Sequence, residues 1–97
     1  VKYAAKIDVN QPDIVKALRE AGATVIPTHA VGAGFPDLVA WFNGEILMIE
    51  VKDGDKPPSA RRLTPTQQKF HDAWPGTIHI VESVEQAIEV VTAQKRK

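Results

Sequence analysis

The stretch Leu38-Val39-Ala40-Trp41-Phe42-Asn43-Gly44-Glu45-Ile46-Leu47-Met48-Ile49-Glu50-Val51 holds two β-type runs joined by Asn-Gly. Asn-Gly tolerates the positive φ angles of a two-residue type I′ turn, so the stretch reads as a tight hairpin. Both runs are apolar on both faces, which predicts a place in the middle of a sheet, covered by helices. The turn also sets the register: Phe42 faces Glu45, Ala40 faces Leu47 and Asp37 faces Glu50. Two carboxylates thus meet in an apolar frame, with Cβ atoms about 4.5–5.5 Å apart. A shared proton, a basic side chain or a cation must offset their repulsion. Lys52 alternates onto the face of Glu50. Two oxygen donors at this spacing suit a hard, hydrated ion such as Mg²⁺ or Mn²⁺. Lys52 is then placed to orient an attacking water or to offset charge on a phosphorane-like transition state.

Outward from the hairpin, helix and strand signals alternate. Upstream, Asn10 is a candidate cap, Pro12 suits a first turn, and Ile14, Val15, Leu18 and Ala21 fall at helical spacing before Gly22. Residues 1–10 read as extended or irregular, and Ala23 to His29 as a short strand that Pro27 confines to an edge. Downstream, Asp53 to Leu63 is a Pro-broken, mobile loop. Thr64-Pro65-Thr66-Gln67 is a capping-box start for a helix running to about Trp74, where Pro75-Gly76 breaks it. Thr77 to Glu82 alternates around Ile78 and Ile80 as a strand. Ser83-Val84-Glu85-Gln86 is a second capping box, opening a helix buried through Ala87, Ile88, Val90 and Val91. The order αβββαβα gives an α/β fold, a central mixed sheet of about four strands flanked by helices.

Composition removes several classes of function. The chain has 97 residues, which reads as one domain over 1–97, and its 12 basic residues balance 12 acidic ones. A wholly basic nucleic-acid binder is not indicated, so a DNA partner must meet a local patch. Lys56, Arg61, Arg62 and Lys69 supply one, and the first three, in the Pro-broken loop, read as an arm that clamps phosphates near the carboxylates. The tail Lys95-Arg96-Lys97 reads as a solvated terminus. There is no cysteine, and no His pair at helical spacing, which argues against zinc. His29, His71 and His79 are unclustered and read as structural or exposed; Trp41 and Trp74 read as core. No run is long enough to span a bilayer and no signal segment opens the chain, so a cytoplasmic protein is expected. The chain starts at Val1, so an initiator or short leader is expected ahead of it.

Gly34-Phe35-Pro36-Asp37 followed by Ile49-Glu50-Val51-Lys52 resembles the PD-(D/E)xK nuclease core. Leu63-Thr64-Pro65-Thr66-Gln67, with Trp74, Gly76 and a strand after it, narrows the likeness to the VRR-NUC domain (virus-type replication-repair nuclease) in its short stand-alone phage form. The resemblance implies that Asp37 and Glu50 are metal ligands, that Val51 lends its carbonyl, and that Lys52 is the catalytic lysine. It makes Gln67 the glutamine that positions water, the lysine or phosphate. An early glutamate of related junction resolvases falls at Gln11, which carries no charge; Asp13 and Glu20 are the nearby substitutes. The implied function is a Mg²⁺- or Mn²⁺-dependent endonuclease on branched DNA, with four-way (Holliday) junctions first. Two cuts on a two-fold junction imply a homodimer. The compartment would be the host cytoplasm if the chain is phage-encoded. A flap or nicking nuclease and a catalytically silent DNA-binding domain are the alternatives. The small surface favours recognition of DNA shape over sequence.

Overall fold

The computed structural model describes residues 7–93. The expected irregular start, for residues 1–6, and the basic tail lie outside them. The elements are α1 (Gln11–Glu20), β1 (Thr24–Pro27), β2 (Leu38–Phe42), β3 (Glu45–Val51), a 3₁₀ turn (Pro58–Arg61), α2 (Pro65–Ala73), β4 (Ile78–Val81) and α3 (Val84–Thr92). They form one mixed sheet in the order β1-β2-β3-β4. The pairs β1–β2 and β2–β3 are antiparallel, and β3–β4 is parallel. A parallel neighbour needs a crossover, which is why α2 lies between β3 and β4. Among the described residues no helix is long and apolar enough to cross a membrane.

The hairpin sets the frame. Asn43 and Gly44 both have positive φ, 51° and 84°, as a type I′ turn requires. Phe42 pairs with Glu45, Ala40 with Leu47 and Leu38 with Ile49. One face of the sheet contributes Val25, Leu38, Ala40, Leu47, Ile49, Val51 and Val81 to the core, under Ile14, Val15 and Leu18 of α1 and Ala87 and Val91 of α3.

The other face is only partly covered, contrary to the expectation of cover on both. Trp41 is 49% exposed and Ile46 73%. They pair across the hairpin beside its turn. Neither tryptophan is core: Trp74 is also half-exposed and stacks on Phe70, centroids 5.5 Å apart. Three further expectations need correction. Ala21, at the end of α1, is exposed. In β4 the buried residue is Val81, while Ile80 is exposed. The second capping box is half-formed: Ser83 Oγ accepts from Gln86 N–H, but Gln86 Oε1 accepts from Glu82 N–H instead of Ser83. The loop over 53–63 contains the 3₁₀ turn and is tied by an Arg61–Glu82 ion pair of 3.0 Å.

Asn10 heads α1 without capping it. Its backbone is already helical (φ −85°, ψ −6°), so its side chain does not reach the first-turn N–H groups. The amide instead donates to the carbonyls of Lys52 (3.1 Å) and Glu82 (3.2 Å). It thus ties the start of α1 to the ends of β3 and β4. Aspartate caps as well as asparagine but cannot donate these bonds. Asn10→Asp should therefore cost on the order of 1–3 kcal/mol, at about 4–8 °C of melting temperature per kcal/mol. Thermal denaturation followed by circular dichroism measures this, and an unchanged midpoint would restore the capping role.

Candidate active site

The first turn of α2 serves two purposes. Thr64 Oγ accepts from the Gln67 N–H (3.1 Å) and Gln67 Oε1 accepts from the Thr64 N–H (2.9 Å), a complete capping box. The same Oε1 also accepts from Lys52 Nζ at 2.8 Å, and Gln67 Nε2 donates to Glu50 Oε2 at 3.0 Å. The cap that starts the helix therefore aims one side chain at both Lys52 and Glu50. Those two residues share a face by strand alternation, opposite the face of Ile49 and Val51.

Asp37 lies one residue before β2, where the hairpin ladder ends at Leu38–Ile49. Its Oδ2 accepts the Val51 N–H at 2.8 Å. The preceding turn pins it further: the Thr28 N–H donates to the Asp37 carbonyl (2.7 Å) and Thr28 Oγ1 to that of Pro36 (2.8 Å). Glu50 is 1% exposed, and its Oε1 has no hydrogen-bond partner among the described residues. Burial, and after it the adjoining Asp37 carboxylate, push Glu50 up from the usual carboxylate range to about 9, against the pull of Lys52.

Asp37, Glu50, Val51, Lys52 and Gln67 all line one cavity of about 340 Å³. Lys56 and Arg62 line it too. Arg61 is instead held by Glu82, and Lys69 is exposed on α2 and does not line the cavity. Gln11 is also absent from the lining: it is buried, with its amide 3.4 Å from His29 Nδ1. The two suggested substitutes are elsewhere, Asp13 exposed and Glu20 in a surface pair with Lys16. The third acid at the cavity is Asp8, whose charge adds to the upward push on Glu50 and whose Oδ1 is 3.5 Å from Lys56 Nζ. Asp8 stands in an irregular segment with no motif around it. His71 is likewise not a peripheral histidine. Its Nε2 is buried 3.8 Å from Glu50 Oε1, and desolvation and Lys52 lower its pKa. Its spacing of one helical turn from Gln67 was the available signal.

Among the described residues, no three His, Cys, Asp or Glu side chains stand ready as a complete ligand set. The donor chemistry nevertheless fits a hard divalent ion. Two adjoining carboxylates, one with a buried and unpartnered oxygen, present oxygen donors that a cation would satisfy, with Asp8 at the margin.

Comparisons with known proteins bear on the family and the fold. A family model described as archaeal Holliday junction resolvase (Hjc) matches residues 8–60, just over half of the chain. The match includes Asp8, Asp37, Glu50 and Lys52 and stops short of Gln67. A solved structure described as a VRR_NUC domain superposes with a TM-score of 0.63 at 22% identity, covering 89% of this chain and 98% of that one. This likeness shows the fold. Among curated proteins there is no significant match.

A raised folded-state pKa has a definite sign in stability. The contribution of Glu50 is fully present below its ordinary pKa of 4.5 and is lost as pH rises through about 9. In a chelator, the melting temperature should fall as pH is raised across that range, and Glu50→Gln should flatten the slope. Mn²⁺ or Mg²⁺ should oppose the fall by binding the ionised form. Identical pH profiles for the native and Glu50→Gln proteins would show that Glu50 ionises freely.

Proposed function

The chain belongs to the archaeal Holliday junction resolvase family, and we propose that it is a divalent-metal-dependent endonuclease that cuts branched DNA, four-way junctions foremost. One observation carries this reading: Gln67 links Lys52 Nζ to Glu50 Oε2 in the cavity that Asp37 also lines. An ordinary surface pattern of Asp, Glu and Lys has no reason to bury Glu50 beside Asp37 and then join it to a lysine.

In this reading Asp37 and Glu50 hold Mg²⁺ or Mn²⁺, with the Val51 carbonyl as a further donor. The bound ion supplies Lewis-acid polarisation of the phosphate and acidification of a water. The side chains do the rest. Lys52 orients the attacking water or offsets charge on the equatorial oxygens as they become more negative. Gln67 keeps Lys52 from folding onto Glu50, because its oxygen holds the ammonium while its amide holds the carboxylate. Lys56 and Arg62 position the strand through its phosphates without reading sequence. Residues 1–97 act as one nuclease unit. A homodimer supplies the two active sites that a two-fold junction needs, and the exposed Trp41–Ile46 strip offers apolar surface for a twin.

Cleavage of linear, flap, splayed and four-way DNA with Mg²⁺ or Mn²⁺ tests the reading. The native protein should cut the four-way junction best, and Lys52→Ala should lose at least about 10²-fold in rate while binding junctions with near-native affinity. Cleavage of flaps in preference to junctions would move the assignment to a flap nuclease. No cleavage of any DNA would reduce the chain to a binding domain.

A further inference from the structure

Beyond Asp37, Thr64 and Gln67 the groove continues. These three residues also line a second cavity of about 280 Å³, whose other walls include His29, Gly32, Phe35 and Thr66. The two cavities thus share a wall of Asp37, Thr64 and Gln67. Its walls are built closely. Gly34 has φ +80°, and a Cβ there would run into the Thr66 carbonyl, so the loop rests directly on the first turn of α2.

His29 is the distinctive group in this second lobe. Its turn is registered to Asp37 by the Thr28 bonds described above, and Val31 N–H closes it on the Thr28 carbonyl at 3.0 Å. Behind the ring, Gln11 Nε2 approaches Nδ1, and Gln11 is only 3% exposed. A bond donated to Nδ1 of a neutral ring puts the ring proton on Nε2. With the Gln11 amide donating to Nδ1, Nε2 carries the ring proton. That atom has no partner among the described residues and is not buried, so it is free to meet a ligand. Thr66, in the first turn of α2, lines the same lobe. The lobe therefore offers the His29 donor and the first turn of α2 beside the Asp37 carboxylate, and no lysine or arginine.

We propose that this lobe is a subsite for a DNA backbone phosphate flanking the one being cut, gripped by His29 Nε2, with Gln11 as a positioning residue. The proposal rests on the nuclease reading for which strand enters the groove. It gives Gln11, which cannot supply a ligand charge, a place in the site: it holds the histidine that holds the strand.

The test is binding of a fluorescent four-way junction without divalent metal, so that it does not depend on cleavage. His29→Ala should weaken binding about tenfold at low salt, His29→Gln should recover most of it by restoring a donor, and Gln11→Ala should fall between. Replacing single phosphates by neutral methylphosphonates along the strand should reveal one position that weakens the native protein about tenfold yet leaves His29→Ala unaffected. A folding defect would not give that position-specific loss of sensitivity. Equal responses of the native and His29→Ala proteins at every phosphate would overturn the proposal, as would affinity that follows the flanking base and not the phosphate. Native protein that binds with the expected pattern but cuts nothing would sink the nuclease reading and leave the subsite standing. Native protein that cuts junctions while showing no such position would do the reverse.

Discussion

Two carboxylates held together in an apolar frame are the constraint around which this molecule is arranged. Glu50 is buried to 1% exposure at the end of the central strand, with Asp37 beside it. Each carboxylate is partly satisfied. Asp37 takes the Val51 N–H and Glu50 takes the Gln67 amide. One Glu50 oxygen stays unpartnered. A buried charge with an unmet oxygen costs stability unless a proton or a cation occupies the site. Natural sequences accept such a cost where the group performs chemistry.

The surrounding elements explain how the pair is held. The Asn43-Gly44 turn places Asp37 and Glu50 next to each other, and the Thr28 turn fixes Asp37 from the far side. The crossover that makes β4 parallel brings α2 over the end of β3, and its capping box points Gln67 at Lys52 and Glu50. Asn10 joins α1 to the same ends of β3 and β4. Helix start, strand end and crossover therefore converge on one corner of the sheet. Away from that corner the outer face needs no such care, and Trp41 and Ile46 are left exposed there.

Much of this was legible because it depends on short-range chemistry. Asn-Gly specifies its turn and hence its register, and Thr64 with Gln67 specifies a helix start; both hold in the structure. The αβββαβα order and the grouping of Asp37, Glu50 and Lys52 follow from these local rules, whereas the place of Gln67 beside them came from the resemblance to the VRR-NUC domain. What was hidden depends on contacts across the chain. Asn10 is an ideal cap by residue type, yet its amide finds carbonyls 42 and 72 residues away. Asp8 carries no local pattern and reaches the cavity only once α1 is docked. His71 looks solitary until α2 lays it beside Glu50. Trp41 satisfies every rule for a buried strand residue, but hydrophobic alternation cannot say which sheet face a helix will cover.

In the proposed nuclease, Asp37 and Glu50 share one divalent ion. Anomalous diffraction from crystals soaked in Mn²⁺ tests it most directly. A single strong anomalous peak within bonding distance of both carboxylates is the expected result, with the peak lost in Asp37→Asn crystals. A site occupied at the same Mn²⁺ concentration elsewhere on the protein, with none between Asp37 and Glu50, would contradict the account.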